Sequence, residues 1–179
     1  MPLDKEAAKK VLAHIDREEL AQLACDLVNL PSPTGQEKAV AEYILNWFHA
    51  NGFKAVRQEV EVDRPNAVGI LKGDGTGLSL GFNGHMDTSF TGTQEDLRMV
   101  ANVEPDSDLK GSIKDGKVRG LGISNMKGGV AAFMMAGMEP RAAMPMSRHA
   151  VQSTETARVS GRVRLSPETA LHSRSLAAA

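Results

Sequence analysis

The chain has little of what marks a specialised class. It carries one cysteine, Cys25, which excludes an internal disulfide and a thiolate zinc cluster. Aromatic residues make up only 4% of its 179 residues, so aliphatic side chains must supply most of any core. Neither sign of charge predominates: 21 Lys and Arg stand against 22 Asp and Glu, a formal net charge of -1. A general nucleic-acid or membrane-surface binder shows a basic excess, so neither nucleic acid nor membrane is an expected partner. No apolar run approaches the roughly 20 residues of a bilayer-spanning helix. The first ten residues are charged and lack the apolar stretch of a secretion signal, which makes cytoplasmic the expected location. What is present, 41% hydrophobic and 24% charged residues, suits a globular domain and is too apolar for a wholly disordered chain.

The composition breaks near residue 139. From Arg141 onward there is no Lys, Asp, Ile, Phe, Tyr or Trp. Arg141, Arg148, Arg158, Arg162, Arg164 and Arg174 face only Glu155 and Glu168, among Ala, Ser, Thr, Val and Met. No period of 2 or 3.6 is sustained. A segment of this kind buries too little apolar surface to offset its chain entropy. Residues 1–139 are therefore read as the folded part. Residues 140–179 are read as an arginine-rich, disordered tail that does not naturally continue it, as a frameshift would produce. The arginines are scattered and no aromatics interleave, so a nucleic-acid arm is the weaker reading.

Residues 1–138 read as alternating helices and strands. Asp16 and Glu19 give a helix start, and Leu20, Leu23, Ala24, Leu27 and Val28 form one apolar stripe that Pro31 and Pro33 end. Cys25 is an inert residue of that helix. A second helix is expected over 34–50. It has a Thr34–Glu37 capping box, a buried face of Val40, Tyr43, Ile44, Trp47 and Phe48, and a stop at Asn51-Gly52. Residues 53–62, 66–71 and 78–82 are extended in character, with a turn over 73–77. Asp115-Gly116 predicts a type I′ hairpin within 112–118, and a small-residue helix follows over 126–138. Strands interleaved with long helices indicate a layered α/β sheet.

The chemistry gathers at two segments. Gly84-His85-Met86-Asp87 follows an apolar strand, and in open α/β sheets functional groups collect at strand carboxyl ends. In extended backbone His85 and Asp87 share a side. A neutral imidazole suits zinc or cobalt, and a neighbouring carboxylate can orient it. An H-x-D tripeptide alone is weak evidence and reads first as a hydrogen-bonded pair at a strand end. The second segment, Val118 to Gly129, puts glycines on both sides of a polar residue at a helix start.

Taken together, the two segments resemble the metallopeptidase family of acetylornithine deacetylase, succinyl-diaminopimelate desuccinylase, aminoacylase-1 and carboxypeptidase G. Members carry G-H-x-D at a strand end and G-R-G-x-x-D-M-K-G-G some thirty-odd residues later. The opening Pro31-Ser32-Pro33-Thr34-Gly35-Gln36-Glu37 is also typical. The resemblance covers roughly residues 18–137, the N-terminal part of the catalytic domain. It implies a three-layer α/β/α catalytic domain with an inserted lid and dimerisation domain. It also implies hydrolysis of an amide bond in an N-acyl amino acid or peptide, by a water that two divalent ions, zinc or cobalt, activate. Carried over by position, His85 is a metal ligand, Asp87 the catalytic-site carboxylate that steadies His85, and position 125 the carboxylate bridging both ions.

The chain departs from that pattern. Position 125 is Asn, a neutral carboxamide with one good acceptor oxygen, which bridges two dications poorly. Leu121 stands where the family has Arg. Glu95, Asp96, Glu104, Asp106 and Asp108, between the motifs, read as solvated loop charges. After Met138 there is no acidic pair to serve as general base and ligand. Glu155, Glu168, His149 and His172 read as solvated tail residues, and the lid is missing. The expectation is one bound ion at most, a truncated chain inactive on its own, and self-association through uncovered sheet. The competing expectation is a degenerate, non-catalytic fragment that acts as a binding or regulatory module.

Overall fold

The β-branched, charge-alternating segments form the strands and the apolar-striped segments form the helices. The structure, a computed structural model, describes residues 5–72, 79–93, 95–96, 109–138 and 150–155. Helices α1 (Lys5–Ala13), α2 (Arg17–Val28) and α3 (Lys38–Ala50) precede strands β1 (Lys54–Glu61), β2 (Arg64–Leu71) and β3 (Leu80–His85). Strands β4 (Ser112–Lys114) and β5 (Lys117–Arg119), an irregular turn over Ile123–Lys127, helix α4 (Gly128–Met138) and strand β6 (Ala150–Glu155) follow.

α2 starts as its sequence predicts. The Asp16 carboxylate accepts from the Glu18 amide at 2.8 Å and the Glu19 amide at 3.1 Å, satisfying two donors the helix leaves open. Leu23, Ala24, Leu27 and Val28 are buried, and the Cys25 thiol is buried among them.

α3 starts later than expected, and the Thr34–Glu37 capping box does not form. Glu37 is fully buried and accepts instead from the Gly35 amide at 2.9 Å and from Arg64 through Nε at 3.1 Å and Nη2 at 2.9 Å. A guanidinium fork satisfies a buried carboxylate better than one helix amide does. Thr34 turns away to donate to Asp87. Val40, Ala41, Ile44 and Phe48 are buried, whereas Tyr43 and Trp47 are half-buried at the edge of that face.

The main sheet has the order β1-β2-β6-β3. β1 and β2 form an antiparallel hairpin, and β6 runs antiparallel to β2 and parallel to β3. The expectation of a structureless segment over 140–179 therefore fails at Ala150–Glu155. β2 and β3 do not pair with each other, and the backbone of β6 supplies the hydrogen bonds both need. The other residues of 140–179 lie outside the described residues, as do the expected turn at 73–77 and the acids Glu104, Asp106 and Asp108. β4 and β5 form a separate hairpin, with Asp115 at φ 52° and Gly116 at φ 68°, as a type I′ turn requires.

Register places the helices on one face. Gly69 and Phe82 both pair with Gln152, so they point to the same side. Phe48 of α3 lies over Gly69, and Phe133 of α4 stacks on Phe82 with ring centroids 5.9 Å apart. A Cβ on Gly69 would sit 2.7 Å from the Phe48 ring, so that strand position must be bare. α2 packs on α4, and one hydrophobic cluster joins α2, α3 and α4 to the sheet through Phe53, Ala67 and Met86. Each fully buried Phe48, Leu27, Ile44 or Met134 stabilises by about 1.5–3 kcal/mol. The class is α/β as expected. The described residues supply the sheet and one of the two expected layers of helix.

Candidate functional site

β3 is longer at its C-terminal end than its apolar run predicts, and His85 is its last residue. The backbone then turns so that Met86 is buried while Asp87 stays near the surface. This corner is tied to the loop after α2. The Thr88 amide donates to the Ser32 carbonyl at 2.8 Å, the Thr34 amide donates to the Thr88 carbonyl at 3.2 Å, and the Ser32 hydroxyl donates to the Met86 carbonyl at 2.8 Å. The Pro31-Ser32-Pro33-Thr34 segment thus braces the His85 loop.

The imidazole is held from both nitrogens. His85 Nδ1 lies 3.0 Å from Asp87 Oδ1 and 3.1 Å from the Asp87 carbonyl oxygen. Both partners are acceptors, so Nδ1 carries the proton. Asp87 is fixed in turn by the Thr34 hydroxyl, which donates to Oδ2 at 2.6 Å. On the other side, His85 Nε2 faces Asn125 Oδ1 at 2.8 Å. A proton on Nδ1 leaves Nε2 with a lone pair, so two acceptor atoms face each other. That contact needs a doubly protonated ring, an amide turned to present Nδ2, or a cation attracted by both atoms.

Asn125 arrives from the irregular turn between β5 and α4. Gly122, at φ 83°, opens that turn, and a Cβ there would lie 2.6 Å from the Thr88 methyl. Asn125 and Met126 have non-helical backbone angles, and the peptide between them is cis. All three residues singled out in the sequence, His85, Asp87 and Asn125, therefore meet in one contiguous row.

Sequence reasoning missed two neighbours. Glu155, read as a solvated tail residue, stands in register with His85 across the parallel β3–β6 pair. No local signal marks it, because β6 follows a segment without periodicity. Lys127 is almost fully buried, and burial pushes its ammonium down to about 8; its Nζ donates to the Leu30 carbonyl at 2.6 Å. Asp96 accepts from the Thr91 amide at 2.7 Å, which serves the loop and not the corner.

The fit to a metal is partial. Nε2 and Oδ1 are one nitrogen and one oxygen donor converging on one point, which suits a single divalent ion. Among the described residues no group of three or more His, Cys, Asp or Glu converges, so they do not fit a bridged pair of ions. Both donors are neutral, so a cation there lacks the anionic oxygen that a carboxylate at position 125 would give.

No protein-family model matches the chain. It is 30% identical over 135 residues to N-formyl-4-amino-5-aminomethyl-2-methylpyrimidine deformylase of Halalkalibacterium halodurans, covering 72% of this chain and 30% of that one. It is 33% identical over 121 residues to succinyl-diaminopimelate desuccinylase 2 of a Ruegeria species, covering 66% and 28%. Human carnosine dipeptidase 1 superposes with a TM-score of 0.65 at 18% identity, over 92% of this chain and 37% of that one. An M20 family metallo-carboxypeptidase of Sulfolobus solfataricus superposes with a TM-score of 0.60 at 15% identity, over 79% and 31%. The two solved structures show a shared fold. The chain spans about 30% of the length of the curated relatives it matches.

Proposed function

The chain belongs to the M20 metallopeptidase family, as the N-terminal part of its catalytic domain, and from that premise we propose that it carries one half of an amidohydrolase site. The substrate class is an N-acyl amino acid or a peptide, and the bond cleaved is an amide. The relatives are hydrolases of such bonds by name: a desuccinylase, a deformylase and a carboxypeptidase. The observation that carries the reading is the row Asp87–His85–Asn125, with Nε2 and Oδ1 2.8 Å apart, a contact that a cation between two lone pairs would satisfy.

In this reading His85 and Asn125 hold one divalent ion, zinc or cobalt. When bound, it supplies a Lewis acid that activates water. Asp87 is a positioning residue. Its carboxylate fixes the imidazole tautomer with Nε2 free, and Thr34 fixes the carboxylate. Asn125 contributes an oxygen without charge, so affinity is low. The Asp87 carboxylate beside His85 is taken up by the imidazole and by Thr34, which leaves it poorly placed to take a proton during hydrolysis. The chain alone is therefore expected not to turn over substrate. Residues 140–179 outside β6 are taken as no part of the site. The sheet face opposite the helices, with Val56, Val68 and Ile70 half-buried, is expected to favour self-association. Among the described residues no helix is long and apolar enough to cross a membrane.

Titration with cobalt(II), read by calorimetry and visible absorption, tests the site. One weak ion per chain is expected, with loss of binding in His85→Ala. Asn125→Asp, by adding one anionic oxygen, is expected to tighten binding about tenfold or more, ~1.4 kcal/mol. Unchanged binding in His85→Ala, or weaker binding in Asn125→Asp, overturns the reading.

A further inference from the structure

A cavity of about 430 Å³ lies behind the braced corner, between the end of α2, the Pro31–Pro33 loop, the Thr88 loop and the turn before α4. Its walls are mainly apolar, from Val28, Pro31, Leu109 and Leu121, and its charged lining residues are Lys110 and Lys127. Among the described residues no acidic one lines it. Its volume is that of a small-molecule site.

The polar groups of the wall are mostly committed. The Ser32 hydroxyl donates to the Met86 carbonyl, the Thr88 hydroxyl to the Phe90 carbonyl, and the Thr91 hydroxyl to Asp96. The Asn29 carboxamide is taken by the Gly111 amide and the Cys25 sulfur. Lys127 differs. It is 1% exposed, has three N–H donors, and among the described residues makes one side-chain hydrogen bond, to the Leu30 carbonyl. A buried ammonium with one neutral acceptor is a costly arrangement that an anionic partner relieves. Among the described lining residues, donors in excess and two cations without an acid favour an anion over a neutral polyol. Apolar walls select one with a hydrocarbon chain.

We propose that this cavity is a binding site for a small aliphatic carboxylate, its carboxylate received by the Lys127 ammonium and its chain by Val28, Pro31 and Leu121. The site is separate from the His85–Asn125 contact and does not depend on any metal there.

The test uses the whole chain and three isosteric probes: sodium hexanoate, hexanol and hexylamine hydrochloride. Ligand-observed saturation-transfer NMR reads binding. Limited acetylation followed by peptide mass spectrometry reads the accessibility of Lys127 against surface Lys38 and Lys54. Hexanoate is expected to bind more tightly than hexanol, with hexylamine weakest, and to slow acetylation of Lys127 while leaving Lys38 and Lys54 unchanged. Lys127→Met is expected to weaken hexanoate about tenfold, the loss of one charge-assisted hydrogen bond, and to leave hexanol unchanged. If Lys127→Met does not fold, Leu121→Trp, which fills the cavity and keeps the amine, is expected to lose both hexanoate and hexanol. Equal binding of hexanoate and hexylamine, no binding of hexanoate, or equal slowing at all three lysines overturns the proposal.

Discussion

Gly84→Ala puts the coupling between the core and the site to the test. Gly84 sits just before His85 and faces α4. A Cβ there would lie 2.8 Å from the Met126 methyl carbon and 2.9 Å from Phe133 Cε1. Unstrained carbon contacts begin near 3.5 Å, so each neighbour must retreat by about 0.6–0.7 Å. Met126 can yield by rotating its thioether. Phe133 cannot yield easily, because its ring is 8% exposed and stacked on Phe82 at an interplanar angle of 8°. Overpacking of this kind costs about 1–3 kcal/mol, against ~0.4–1 kcal/mol recovered from the unfolded chain when a glycine is replaced. The net expectation is a loss of about 1–2 kcal/mol. Urea unfolding followed by the fluorescence of Trp47, the one tryptophan, measures it.

Two further readouts identify the cause. Phe133→Leu in the Gly84→Ala background should restore part of the loss, since it removes the rigid neighbour. Met126 follows Asn125, so its displacement should also weaken cobalt binding at the Asn125–His85 contact. Gly35→Ala is the control. Gly35 has nothing within 4 Å but holds φ +96°, so its loss of about 1 kcal/mol is conformational and no second-site change should rescue it. A Gly84→Ala protein as stable as the parent would refute the steric reasoning.

Glu37→Gln should cost about 3 kcal/mol in the same urea experiment, because it leaves the half-shielded Arg64 facing a neutral amide. A Glu37→Gln/Arg64→Met pair should lose less than the two single changes together. Lys38→Met, which breaks a surface pair with Asp63, should leave the midpoint unchanged. Tyr43 is the one tyrosine, and burial, followed by its hydrogen bond to Asp26, pushes its phenol up to about 12. The fold therefore favours the neutral phenol. Between about pH 10 and pH 12 the unfolded chain releases a proton that the folded chain keeps, so stability should fall as pH rises through that window. Tyrosinate absorbance should titrate late in the folded protein, and Tyr43→Phe should abolish this part of the alkaline loss.

Much of the fold was legible because its signals are local. The α2 cap needs only Asp16 and the two amides above it, and the Asp115-Gly116 turn needs only two left-handed residues. The site motif was legible for the same reason, since His85 and Asp87 are two apart on extended backbone. That Asn125 reaches His85 was implied by the resemblance and not by spacing, because forty residues of chain separate them. The misread features depend on distant partners. Glu37 looks like a capping residue until Arg64 arrives from β2, and Thr34 looks like a cap until Asp87 comes within 2.6 Å. Ala150–Glu155 has no pattern of its own because its partners on both sides dictate its conformation. Lys127 could have been flagged by its place between a glycine-rich turn and an apolar helix, where a charge finds little water.

The position of β6 has a consequence for how the molecule is assembled. One of the two inner places in the sheet is reserved for the segment that leaves the ribosome last of all the described elements. Until Glu155 has emerged, the β1–β2 hairpin and β3 remain two separate ribbons, each with a bare hydrogen-bonding side. His85 then lacks the adjoining strand that steadies its backbone. Ordering must wait for contacts spanning some seventy residues, a long loop to close and a slow one. A nascent chain halted after α4 would hold every residue of the Asp87–His85–Asn125 row and still lack the keystone that aligns them.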